Sequence, residues 1–189
     1  GTAFGTGPIH KSAIPGYQGD VGGEGLRVVN SHATAPGQSV AEKDSATGKL
    51  TSPEFTIQRK FLSFYIGGGA NVEQVGLRLL VEGKVVRRAA SHDDNKMRKE
   101  LFEITELQGK KAVIEIYDRG TGGWGNIGVD QIVQTDRPSA TNKEEVPGYG
   151  SMTLSVLGSN RSIKFAANAG DAADPAAILA KLGSQISVE

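Results

Sequence analysis

The chain has 189 residues, with 21 basic and 21 acidic side chains, 26 glycines, no cysteine and 22% charged residues. Balanced charge leaves no global field to draw nucleic acid or an anionic membrane, and the missing cysteines exclude disulfides, thiolate metal sites and a cysteine nucleophile. Glycine richness with modest charge suits a turn-rich all-β protein, and no apolar run approaches the ~20 residues that span a bilayer.

The first fifty residues are rich in glycine, with a short apolar island at Leu26-Arg-Val-Val29. They read as loops around one or two strands. Beginning at Gly1-Thr-Ala-Phe, without a Met, the chain reads as a piece of a longer protein. From Leu50 onward, apolar residues recur at strand lengths between turn signals. Residues 51–57 alternate weakly, and Phe61-Leu-Ser-Phe-Tyr-Ile66 is aromatic and branched before Gly67-Gly-Gly69. Gly76-Leu-Arg-Leu-Leu-Val81 and Lys84-Val-Val-Arg-Arg-Ala89 flank Glu82-Gly83, the composition of a tight hairpin turn. Residues 98–104, 111–117 and 126–133 complete the series. Strands at this spacing, with no long helix between them, predict a sandwich or jelly roll. A polar stretch then separates a main domain, 1–137, from a tail through a linker, 138–149. Within the tail, 150–189, two strand-like runs precede a helix signature over 174–182, with Asp174 as N-cap and Pro175 at the first helical position. The tail is too short to bury a core alone, so it reads as a β/α appendage or the opening of a further domain.

Strand parity gathers loops. If the strands from Phe61 run antiparallel in order, the long polar loops 67–74, 91–97 and 118–126 fall at one end and the short turns at the other, the usual asymmetry of a scaffold with a binding rim. The expected rim holds Trp124, Asp118, Arg119, Asn126, Asn95, Asp94, His92 and Asn71, with Asp93 and Glu73 nearby. An indole face for sugar C–H groups, beside amides, carboxylates and a guanidinium for hydroxyls, is the chemistry of saccharide recognition. Trp124, the only tryptophan, has two readings: a sugar platform, or a plug folded back onto the sandwich end. Asp93-Asp-Asn95 is a solvated turn or a fragment of a calcium site, which needs six to eight oxygens. Asp130, within the last strand, is the candidate for a structural calcium; no other cofactor is expected. His10, His32 and His92 share no zinc-ligand spacing. Glycosidase chemistry needs two carboxylates across a cleft. Asp118 and Glu73 come nearest, but nothing marks them as a catalytic couple, so no catalytic residue is assigned.

Four segments, Leu50-Thr-Ser-Pro-Glu-Phe-Thr-Ile57, Phe64-Tyr-Ile-Gly-Gly-Gly69, Leu79-Leu-Val-Glu-Gly-Lys-Val-Val-Arg87 and Thr121-Gly-Gly-Trp-Gly-Asn-Ile-Gly-Val-Asp-Gln-Ile132, carry a likeness. They resemble an accessory β-sandwich module of large exported bacterial proteins, often beside levanase- and invertase-type glycoside hydrolases. The likeness covers about residues 4–137. The segment Gly150-Ser-Met-Thr-Leu-Ser-Val-Leu157 resembles the start of the N-terminal β-domain of glucosylceramidase-type (β-glucosidase) hydrolases. These resemblances imply a galactose-binding-like jelly roll, a secreted, periplasmic or cell-surface location, and a poly- or oligosaccharide and a catalytic domain of the same parent protein as partners. They carry over no ligand residues. Three functions stay open: a sugar-binding module, a structural spacer, or an enzyme in its own right.

Overall fold

The computed structural model describes residues 1–137 together with the strands Ser151–Ser155 and Ser162–Ala166. The chain divides into two compact units, Gly1–Asn142 and Lys143–Glu189. In the second, the two described strands pair antiparallel. The expected linker and the helix over 174–182 lie outside the described residues.

The first unit is an antiparallel sandwich. One sheet orders β1 (Ile9–His10), β2 (Arg27–Asn30), β10 (Ile127–Thr135), β5 (Phe61–Gly68) and β8 (Asp94–Glu103). The other orders β3 (Gly48–Thr51), β9 (Lys111–Asp118), β6 (Val75–Val81) and β7 (Lys84–Ala89), with β4 (Phe55–Thr56) also paired to β9. Each of the two sheets thus has five strands, all pairings antiparallel.

The core follows from alternation along each strand. Val75, Leu77, Leu79 and Val81 of β6 point inward and are nearly or wholly excluded from solvent, while Arg78 and Leu80 between them are only half-buried. Leu62, Phe64 and Ile66 of β5 meet them from the opposite sheet in one cluster. Phe64 stacks edge-on against Phe102, with ring centroids 4.9 Å apart. Burying each such side chain contributes about 1.5–3 kcal/mol. A second, smaller cluster of Val21, Val28 and Met97, with Tyr65 against it, lies on the other face of the first sheet. Val28 and Val29 therefore divide between clusters, and the N-terminal segment covers a face that would otherwise be wet.

The expected strands from Phe61 onward are present, with β8 beginning four residues earlier than the sequence pattern suggests. Glu82 and Gly83 have φ of 52° and 74°, the left-handed pair that a two-residue hairpin of this twist requires. In β10 the register against β5 shifts between Asp130 and Val133, where Gln131 takes φ 48°. This bulge turns Ile132 back onto the core. The first fifty residues hold more than loops: α1 (Ser31–Thr34) and α2 (Val40–Asp44) are single helical turns.

Candidate functional site

The three long loops do converge. Gly69 N–H donates to Asn126 O (3.0 Å), Ser91 N–H to Gly69 O (3.0 Å), and Arg119 N–H to Gln74 O (2.7 Å). Ala70 N–H donates to the Asp93 carboxylate (2.9 Å). The segment containing α1 and α2 packs against this end and completes a cleft of about 260 Å³. Trp124, Asn95 and Asn126 line it from the expected loops; Tyr17, Gln18, His32, Val40, Asp44 and Gly123 complete the lining.

Trp124 sits at the third position of a turn closed by Gly125 N–H donating to Gly122 O (2.8 Å), with φ 63°. That position favours glycine; an indole there carries backbone strain, a pattern that concentrates at functional sites. The side chain is 42% exposed. It therefore does not plug the sandwich. Gly125 lets the loop approach α2 closely, because a Cβ there would run into the Asp44 carbonyl oxygen.

Tyr17 is a second exposed aromatic in the cleft, 60% exposed, and it is held from below. Its Oη lies 2.9 Å from His32 Nε2, and His32 Nδ1 lies 2.6 Å from Asp44 Oδ1. Donation from Nδ1–H to the carboxylate selects the tautomer whose Nε2 accepts the Tyr17 hydroxyl. His32 and Asp44 are both buried, so the pair is shielded from solvent. A chain of amides runs alongside: Asn30 Nδ2 donates to Gln18 Oε1 (3.3 Å), and Gln18 Nε2 to Asn95 Oδ1 (3.4 Å). The Tyr17 ring and the Gln18 and Asn95 amides are thus preset by their partners, which lowers the cost of ordering them on a ligand.

The other expected rim residues go elsewhere. Asp118 is 1% exposed and does not reach the rim. Its carboxylate accepts from Ser31 Oγ (2.6 Å) and Gly120 N–H (3.2 Å), anchoring the loop from inside. Burial pushes its pKa up to about 6, against the lowering effect of those two hydrogen bonds. Arg119 stacks over Tyr117, 5.6 Å from the ring centroid, and lines a different groove. Asp94 accepts from Lys96 N–H and pairs with Arg98, contacts that hold its carboxyl below the usual range. His92 lies exposed, 3.8 Å from Glu100, and Asn71 accepts from Glu73 N–H within its own turn. Asp130 accepts from Glu24 N–H (2.7 Å) and Gln131 N–H (2.9 Å). Among the described residues no three His, Cys, Asp or Glu side chains converge as a metal would need.

Sequence reasoning missed Tyr17, Gln18, His32 and Asp44. One signal was present: Ser39-Val-Ala-Glu42 is a capping-box pattern, and the structure forms both of its hydrogen bonds at the start of α2.

The class these features define is an antiparallel two-sheet β-sandwich with a loop-built cleft bearing two exposed aromatics. No family model matches the chain. Over 89 residues it is 39% identical to a protein of Aspergillus rugulosus named "Putative glycosyl hydrolase ecdE", an alignment covering 47% of this chain and 13% of that one. The chain therefore corresponds to a small part of that relative. Among solved structures it is similar to the C-terminal extracellular domain of Mycobacterium tuberculosis EmbC, at 10% identity and a TM-score of 0.41, over 71% of this chain and 60% of that one. A likeness this distant carries no argument about function.

Proposed function

We propose that this chain is a non-catalytic carbohydrate-binding module of a multidomain, exported glycoside hydrolase, and that the cleft between Tyr17 and Trp124 takes a segment of poly- or oligosaccharide. In this reading the sandwich is a galactose-binding-like jelly roll, and residues 150–189 are an appendage or lead into the next domain. The observation that carries it is Trp124, exposed and strained at positive φ in the wall of a cleft that also holds Tyr17 and three amide side chains. Aromatic faces suit sugar C–H groups, and fixed amides suit hydroxyls. The partial relative, named as a glycosyl hydrolase, supports the setting. Binding is favoured over cleavage because Asp44 is the one carboxylate among the lining residues, and it is bonded to His32. Two-carboxylate chemistry has no second partner there. A weak site still serves, since tethering to a catalytic domain raises the effective concentration of enzyme at its polymer.

As the sole tryptophan, Trp124 reports on the cleft directly. Titration with a panel of neutral oligosaccharides is expected to shift its emission, and Trp124→Ala is expected to abolish retardation in polysaccharide affinity gels. If no saccharide alters the emission and the variant migrates as the parent does, the module is a spacer.

A further inference from the structure

A second groove, of about 210 Å³, opens on the outer face of the other sheet, where Arg78, Arg88 and Arg119 surround Tyr117. Its charge is unusual for a sheet face. Arg78 of β6 and Arg88 of β7 stand directly opposite each other in the antiparallel register. Like charges so placed repel. The fold offsets this in part: Glu115, buried in β9, binds Arg78 through Nε (2.7 Å), and the exposed Glu73 pairs with Arg88 (2.5 Å). Glu115 is also bonded to Lys49 (2.5 Å), so one carboxylate answers two cations. Arg119 has no carboxylate within ion-pairing distance among the described residues and rests only on the Tyr117 ring. Positive charge is therefore in excess around the groove.

The groove floor is built rather than incidental. Tyr117 lies opposite Gly76 in the register, and a Cβ on Gly76 would sit 2.9 Å from the Tyr117 hydroxyl oxygen. The missing side chain lets the ring lie flat across the sheet, where its hydroxyl donates to Val72 O (2.5 Å). Arg78 and Arg119 both hold their guanidinium groups over that ring, 4.9 and 5.6 Å from its centroid. Stacking orients two planar donors; Arg78 turns its Nε and Nη2 to Glu115, which leaves the guanidinium edge of Arg119 for an oxyanion. At about 210 Å³ the groove is smaller than the cleft at Trp124, and its donors converge on one ring face, which suits a single acidic ring.

We propose that this groove binds the anionic group, carboxylate or sulfate ester, of a single acidic sugar residue, with Arg119 as its principal contact and Arg88 and Arg78 beside it. The choice of a sugar as carrier rests on the carbohydrate reading above; the anion site itself does not. Arg119 and Trp124 share the loop after β9 but line separate cavities, so the two sites are separable by mutation.

The test is calorimetric titration of the whole chain with galacturonate, galactose 6-sulfate and, as the neutral control, galactose. At least one acidic sugar is expected to bind tenfold or more tightly than galactose, with affinity falling steeply as salt rises, and the arm that binds identifies the anion. Arg119→Ala is expected to abolish that preference, and Arg119→Lys to restore it only in part because a point charge cannot replace the planar fork. Trp124→Ala should leave the preference intact while removing neutral-glycan binding at the cleft. Equal affinity for all three sugars, an unchanged preference in Arg119→Ala, or its loss in Trp124→Ala would each overturn the proposal. Loss of neutral-glycan binding with the acidic preference retained leaves it standing, whatever becomes of the cleft.

Discussion

Ser31 and Asp118, 87 positions apart in sequence, share a buried hydrogen bond of 2.6 Å, and Ser31 Oγ in turn accepts from Ile127 N–H at 2.9 Å. One hydroxyl thereby ties α1 to the end of β9 and the start of β10, the two strands that carry the tryptophan loop. The loop is held at its root.

Asp118 makes that anchor pH-dependent. Its folded pKa of about 6 lies above the unfolded value near 3.9. Below both values the group is protonated in either state. Between about pH 4 and pH 6 the unfolded chain releases a proton that the folded chain keeps, so this group's contribution falls as pH rises, by up to about 3 kcal/mol. Asp118→Asn lacks that slope. Urea midpoints of parent and variant at pH 4 and pH 7 should show the difference moving in the variant's favour at the higher pH; a constant difference would contradict the assignment.

Glu115 behaves oppositely. Burial pushes its pKa up, but the hydrogen bonds from Lys49 and Arg78 together hold it below the usual glutamate value. Its stabilising effect is therefore present above about pH 4.5 and fades as pH falls through the folded pKa. Glu115→Ala leaves Arg78 and Arg88 facing each other, and should cost about 3 kcal/mol at pH 7 and less at pH 3.5. Thermal melts at the two pH values check this.

Trp124→Gly tests whether the indole supports the fold. A glycine takes φ 63° without strain, so the variant should stay within about 1 kcal/mol of the parent. Phe64→Ala, at a fully buried position, should lose about 3–5 kcal/mol. If the two variants prove equally destabilised in urea, the indole is part of the core.

His32→Ala strands the buried Asp44 carboxylate and should cost about 2–3 kcal/mol. Tyr17→Phe keeps the ring and loses one hydrogen bond, costing about 1 kcal/mol. In affinity gels Tyr17→Phe is expected to retain most binding and Tyr17→Ala to lose it. Equal loss in both would mean that the hydroxyl, not the ring, contacts the ligand.

The strands from Phe61 were legible because apolar, branched and aromatic residues recur at strand lengths between turn signals, and Glu82-Gly83 announces its turn by composition alone. The convergence of the three long loops followed from parity. What stayed hidden was the N-terminal half of the cleft. α1 and α2 are one turn each, too short for periodicity to register, and the Tyr17–His32–Asp44 chain spans elements with no fixed spacing. Asp118 misled for a related reason: a carboxylate at a strand end reads as a loop residue unless its partner is known, and Ser31 gives no local sign of being that partner. Exposure of Trp124 was undecidable from composition, since its neighbouring glycines permit both a fold-back and an outward turn.

β7 and β8 are edge strands, one in each sheet, and both carry their charge there: Lys84, Arg87 and Arg88 on the first, Lys96, Arg98 and Lys99 on the second. Open backbone edges invite pairing with another chain; lysine and arginine along them oppose it, and on β8 Val21 O also takes up the Met97 N–H at 2.8 Å. Such fringes keep two copies of the chain from zipping together edge to edge while their strands are still forming.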